Sequence, residues 1–132
     1  MADWLLKTEP EEYSYDDLVQ EQVGTWDGVT NPAAQRNMRA MQVGDRCIIY
    51  HTGDVRAAVG LARVLRGPYP DPSDARGRLV LVDVAPVRPL ERPVTLAEIR
   101  TLAVFAESPL VRIGRLSVVP LSSEQMAALS AP

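Results

Sequence analysis

Apolar residues fall in short clusters along the chain, and polar turns separate them. Trp4-Leu5-Leu6-Lys7-Thr8 reads as a first strand, stopped by Pro10, which has no N–H to donate to a ladder. Ser14 with Asp17 three residues on has the spacing of a capping box and predicts a short helix through Gln22. Val23-Gly24 ends that helix, and Trp26-Asp27-Gly28 reads as a turn. Asn31 before Pro32 couples an N-cap to a proline at the first helical position, which predicts a helix to Met41. Gly44-Asp45 turns the chain into a strand over Arg46 to His51. After Thr52-Gly53-Asp54, the alternate positions Val59, Leu61, Arg63 and Leu65 predict a strand from Ala57 to Arg66. Gly67-Pro68-Tyr69-Pro70-Asp71-Pro72 reads as a rigid loop. Leu79 to Val87 is apolar on both faces, the pattern of a buried strand. Thr95 with Glu98 predicts a second capping box and a short helix. Leu116 to Val119 reads as a short strand, and Ser122 with Gln125 caps a last helix ending near Leu129. About five strands and four short helices, irregularly interleaved, make an α+β class. A small barrel or curled sheet fits that order better than a doubly wound sheet.

Length and composition narrow the picture. The 132 residues match one domain, taken as residues 1–132, and 46% apolar with 23% charged residues is ordinary for a globular chain. No apolar run reaches the roughly 20 residues of a membrane helix, and the start lacks the pattern of a secretory signal. Neither a membrane nor secretion is expected, and the cytoplasm is the expected location. Cys47 is the one cysteine, and its place in Cys47-Ile48-Ile49 predicts a small core residue rather than a nucleophile. The net charge of −3 argues against a protein that grips duplex backbone through many phosphates, but a reader of one extruded base needs only a pocket and a local patch. Thirteen of the fourteen basic residues are arginine, which makes the lone lysine, Lys7, conspicuous.

Common catalytic motifs are absent. There is no phosphate loop, no Gly-x-Gly-x-x-Gly, and no Gly-x-Ser-x-Gly elbow. One histidine and one cysteine rule out a zinc site built from those residues, and no metal and no cofactor are expected. The acidic group Glu9, Glu11, Glu12, Asp16 and Asp17 reads most simply as a solvated helix entry. Catalytic residues are not expected.

A few residues stand out against this background. Trp26 lies between Thr25 and Asp27-Gly28, away from any apolar run. It reads either as a core-capping aromatic or as a platform for a base, where stacking is worth about 1–3 kcal/mol. Tyr50 and His51 end one strand, and Lys7 and Thr8 end another, where side chains can project from a rigid scaffold. Neighbours on a strand point to opposite faces, so Lys7 and Thr8 are expected on different sides.

Taken in order, these segments resemble the EVE domain family. The residues that carry the resemblance are Trp4 to Pro10, Tyr13 to Leu18, Trp26-Asp27-Gly28-Val29, Asn31, Arg36-Asn37, Arg39-Ala40-Met41 and Val43-Gly44-Asp45. Tyr50-His51-Thr52, Gly60-Leu61-Ala62, Tyr69 to Pro72, Val82-Asp83-Val84, Arg92 to Leu96 and Arg115 to Val118 continue it over nearly the whole chain. Thr30 and Pro32 depart from the arginine and aromatic usual near those places. The resemblance implies a PUA-like fold, a small mixed β-barrel of about five to six strands with flanking short helices, related to YTH and ASCH domains. It also implies a non-enzymatic reader that binds a modified base of DNA or RNA, such as 5-methylcytosine, flipped or single-stranded. On that likeness Trp26 stacks on the base, and Lys7, Thr8, Asp27, Gly28, Asn31, Tyr50, His51 and Ser117 line its pocket. Arg36, Arg39 and Arg115 meet phosphates, and the protein acts as a monomer or weak homodimer.

Two other functions compete. Some ASCH relatives hydrolyse N-acylated pyrimidine nucleosides with Lys, Thr and Glu, and Lys7-Thr8-Glu9 supplies those types, though adjacent rather than spaced. Thr30 and Pro32 support instead a protein-interaction module with a vestigial pocket.

Overall fold

The computed structural model describes residues 1–131. Six strands form one sheet: β1 (Asp3–Thr8), β2 (Gly24–Trp26), β3 (Arg46–His51), β4 (Ala57–Pro70), β5 (Val80–Thr95) and β6 (Val118–Leu121). Their order is β2-β5-β4-β3-β1-β6. Only β1 and β3 run parallel; every other pair is antiparallel. The class is mixed α+β, and β2 and β6 remain edges, so the ladder is open rather than closed into a barrel by hydrogen bonds.

Helices fill the connections: α1 (Tyr15–Glu21), α2 (Pro32–Arg39), α3 (Leu96–Ile99), α4 (Pro109–Arg112) and α5 (Ser123–Ser130), with a 3₁₀ turn at Ala103–Phe105. The capping boxes at Ser14/Asp17 and Ser122/Gln125 form as expected, and Asn31 caps α2 with Pro32 at its start. The Thr95/Glu98 box is only half made. Thr95 accepts from the Glu98 N–H, but both Glu98 oxygens go to Arg92 at 2.7 Å, a bidentate pair that outcompetes a return to the backbone.

Prolines and glycines hide the true lengths of two strands. The segment expected as a rigid loop after Gly67 belongs to β4, and β5 runs eight residues past Val87 to Thr95. Register shifts at four places between these strands absorb residues that cannot pair and bend the ribbon. β2 had no signal of its own: three residues with one buried, one exposed and one buried side chain are too few for a period.

β1 is an interior strand, paired with β3 on one side and β6 on the other, and Trp4, Leu5 and Leu6 are all buried instead of alternating. They join Ile48, Ile49, Val64, Phe105, Met126 and Leu129 in one core, and Cys47 is buried there as expected. Two glycines let α1 settle on the sheet. A Cβ on Gly60 would stand 2.3 Å from the Tyr15 ring, and one on Gly24 would stand 2.7 Å from the Tyr13 hydroxyl. Tyr15 Oη completes the dock by donating to the Leu61 carbonyl at 2.7 Å. Among the described residues no helix is long and apolar enough to cross a membrane.

Candidate functional site

Where β1 ends at Thr8, the sheet opens into a cleft of about 650 Å³. Its walls are the end of β1 (Lys7, Thr8), the entry to α1 (Glu12, Tyr13), the end of α1 (Glu21), the Thr25–Val29 segment and Ser117. Of the expected pocket residues, Lys7, Thr8, Trp26, Asp27, Gly28 and Ser117 converge on this cleft. Lys7 and Thr8 both reach it despite strand alternation, because the strand stops there and the cleft wraps around its end.

Lys7 has an unusual setting. Its Nζ donates to the Gly114 carbonyl at 3.0 Å and stands 5.8 Å from the Tyr50 ring centroid. It has no carboxylate partner among the described residues, and partial burial holds its pKa below the ordinary lysine value. The Thr8 hydroxyl turns inward and donates to the Tyr13 carbonyl at 2.7 Å.

Trp26 is not in a turn. It closes β2, paired with Val82 of β5, and is only 6% exposed. The ring of Tyr13 meets it edge-on, with centroids 6.0 Å apart and planes at 81°. Tyr13 Oη donates to Glu21 Oε1 at 2.5 Å, and desolvation, reinforced by that carboxylate, pushes the phenol pKa far up. The strand bearing Trp26 is fixed from the other side, where Thr25 and Tyr69 both donate to Asp83 Oδ1 at 3.0 and 2.6 Å.

Helix α2 holds two cleft walls from behind. Gln35, itself buried, donates to the carbonyls of Val29 (2.7 Å) and Val80 (3.2 Å) and accepts from the Val80 N–H (2.9 Å). Asn37 donates to the Val118 carbonyl at 2.8 Å, next to Ser117. Through these two side chains α2 bridges β5 and β6, strands that do not pair with each other.

Other expected pocket residues stand behind the cleft rather than in it. Asn31 Oδ1 is taken by the N–H groups of Ala33 and Ala34, as its cap role demands. Tyr50 is buried beneath Lys7. His51 Nε2 accepts the N–H of Tyr15 at 3.0 Å, capping α1; burial lowers its pKa, and Asp16 opposes that shift. Arg36, Arg39 and Arg115 are exposed, and Arg39 donates to the Arg78 carbonyl. Sequence reasoning missed Glu12, Tyr13 and Glu21. The one signal was Tyr13 four residues N-terminal to Asp17, at the mouth of a capped helix.

The Lys-Thr-Glu hydrolase grouping is not assembled. Glu9 Oε2 instead accepts from the Thr52 hydroxyl at 3.2 Å, while the Thr8 hydroxyl is tied to Tyr13. No cluster of three metal-ligating side chains occurs among the described residues.

Comparison with known proteins adds independent findings. Human thymocyte nuclear protein 1 is 30% identical over 156 aligned positions, spanning 92% of this chain and 69% of the relative. The solution structure of Rpa0253 from Rhodopseudomonas palustris superposes with a TM-score of 0.93 at 39% identity, over 98% of this chain and 91% of that one. The crystal structure of human THYN1 protein in complex with 5-methylcytosine-containing DNA superposes with a TM-score of 0.87 at 28% identity, over 99% and 96%. An ASCH protein from Zymomonas mobilis shares the fold alone, with a TM-score of 0.60 at 15% identity over 96% of this chain and 92% of that one. The profile of the EVE domain matches residues 2–131, and the chain belongs to the EVE domain family.

Proposed function

We propose that this chain binds DNA carrying a modified cytosine, with the base taken into the cleft between the end of β1 and the Trp26–Val29 segment. The composition of that cleft carries the proposal. It is lined by an indole, a phenol, one ammonium and the carboxylates Glu12, Glu21 and Asp27, and by no arginine. Such a lining suits a base edge rather than a phosphate. Carboxylates accept from the N4 amino group of cytosine, and a buried methyl adds about 0.8 kcal/mol. The DNA in the complex of the similar human protein contains 5-methylcytosine, which makes that base the first ligand to test. Extrusion costs a few kcal/mol, so a single strand is the easier substrate. RNA is tested beside it.

In this proposal Trp26 is the wall against which the base stacks. Lys7, Thr8, Asp27, Gly28 and Ser117 supply polar contacts. Asn31, Tyr50 and His51 act from behind by fixing α2, Lys7 and α1. Arg36, Arg39 and Arg115 meet phosphates. Because Trp26 is so little exposed, Tyr13 must leave its edge-on position before a base can take the indole face. We read the six curled strands as the PUA-like barrel of the family, with α2 spanning the gap between β5 and β6.

The test is fluorescence anisotropy at low salt with single-stranded DNA and RNA bearing 5-methylcytosine, 5-hydroxymethylcytosine, N6-methyladenine or no mark. Parent, Lys7→Gln and Trp26→Phe are compared, each checked for a cooperative melt. The expected result is at least tenfold preference for one marked oligomer, about 1.4 kcal/mol, reduced in both variants. Equal binding of every oligomer, with variants like the parent, removes the proposal. Turnover of N-acylated nucleosides would then favour the hydrolase.

A further inference from the structure

The register sets Thr8, His51, Ala57 and Thr95 in one row across β1, β3, β4 and β5. Thr8 borders the cleft at one end of that row. At the other end, Thr95 borders a second hollow of about 320 Å³, lined also by Asp54, Val55, Arg56, Leu96 and Arg100. Adjacent strands lie about 4.8 Å apart, so the two ends of the row are about 14 Å apart along the sheet.

This hollow has the arginines that the cleft lacks. Arg56 and Arg100 are exposed, and neither takes part in an ion pair among the described residues. Asp54 is the one carboxylate in the lining. Glu98, on the helix between Thr95 and Arg100, is engaged by Arg92 through both oxygens. Arg56 also holds a φ of 46°, a region that disfavours any side chain, while its carbonyl accepts the Leu96 N–H at 2.8 Å. Glycine would suit that backbone better, yet arginine stands there. The charges of Arg56 and Arg100 counter the rise that burial imposes on the Tyr50 phenol, and Lys7 stands over the same ring.

We propose that Arg56 and Arg100 hold a backbone phosphodiester of the strand whose base occupies the cleft. Phosphates lie about 3.4 Å apart along each strand of a stacked duplex and farther apart on an extended single strand, so 14 Å places it at most about four nucleotides from that base. The proposal rests on the base-binding role of the cleft.

The experiment measures the salt dependence of binding for a trimer centred on 5-methyldeoxycytidine and for a twelve-mer with the same mark at its middle. Parent is compared with the double variant Arg56→Gly and Arg100→Gln, in which the glycine accepts the positive φ. For the twelve-mer, the slope of log K against log salt is expected to shrink by about 0.7, the contribution of one phosphate on a single strand. Trimer binding is expected to stay at the parent value. An unchanged twelve-mer slope, or an equal loss on the trimer, overturns the proposal. If the mark makes no difference but the twelve-mer slope still falls, the arginine site stands and base recognition in the cleft does not. If the mark matters and the slope is unchanged, only the arginine site falls. A parent that binds neither oligomer ends both.

Discussion

Gln35 is where helix, sheet and cleft are tied by one side chain, so its removal tests the architecture of the site. Gln35→Ala deletes three hydrogen bonds, two to the Val80 backbone and one to the Val29 carbonyl. The side chain is 3% exposed, so water does not simply replace it. At roughly 1 kcal/mol for each bond, the loss is about 3 kcal/mol. With a urea m-value of about 2 kcal/mol per M, the midpoint moves about 1.5 M lower. Val29 lines the cleft, so binding of a marked oligomer should weaken under conditions where the variant is still fully folded. Gln35→Glu sharpens the test. It keeps the acceptor for Val80 N–H but aims a carboxylate at two carbonyls, which favours the protonated acid in the fold. Its stability should therefore rise as pH falls toward the ordinary glutamate value, opposite to the parent. A midpoint shift below about 0.5 M for Gln35→Ala, with parent-like binding, would refute the claim that α2 holds the cleft wall.

Three further outcomes are expected. His51 has a lowered pKa in the fold, so stability is complete above the unfolded value of 6.5 and falls as pH drops below it; thermal melts of parent and His51→Gln from pH 7.5 to 5 check this, and identical slopes would remove the capping role. Gly60→Ala drives a methyl into the Tyr15 ring and should cost about 3 kcal/mol, lowering Tm by about 10 °C, and calorimetry reads it directly. Glu21→Gln removes one of the carboxylates that the cleft offers to the cytosine amino group, so binding of the marked oligomer should weaken several-fold in anisotropy titrations; tighter binding would show that Glu21 serves only to hold Tyr13 against the indole.

The parts of the fold written in local chemistry were legible in the sequence. Ser14 with Asp17, Asn31 with Pro32 and Ser122 with Gln125 each mark a helix start within a few residues, and the three caps form where expected. What failed was governed by distant partners. Trp26 looked like a turn residue because β2 exists only through its pairing with β5, 58 residues further along at Thr25 and Asp83. The ends of β4 and β5 were lost because register shifts let prolines and glycines lie inside a ladder. Six of the nine expected pocket residues line the cleft for the same reason that the sheet formed, since strand ends project. Asn31 enters the pocket on the family resemblance and His51 on its strand-end position, and in the fold the polar atoms of both serve helix caps.

The place of β1 between β3 and the edge strand β6 also bears on the order in which the candidate site can form. Its neighbours arrive at very different times along the chain, β3 early and β6 almost last. The bond from Lys7 to Gly114 spans 107 residues, and Ser117 closes the cleft from the same late segment. Contacts that distant form slowly, after the β3–β4–β5 ribbon can already hold itself together. During synthesis the cleft therefore stays unfinished until the last strand leaves the ribosome. Pulse-labelled hydrogen exchange during refolding should find β4 and β5 amides protected before those of β6. The candidate cleft is complete only once the segment before β6 has docked, so a chain cut short before Gly114 lacks both the Ser117 wall and the carbonyl that holds Lys7.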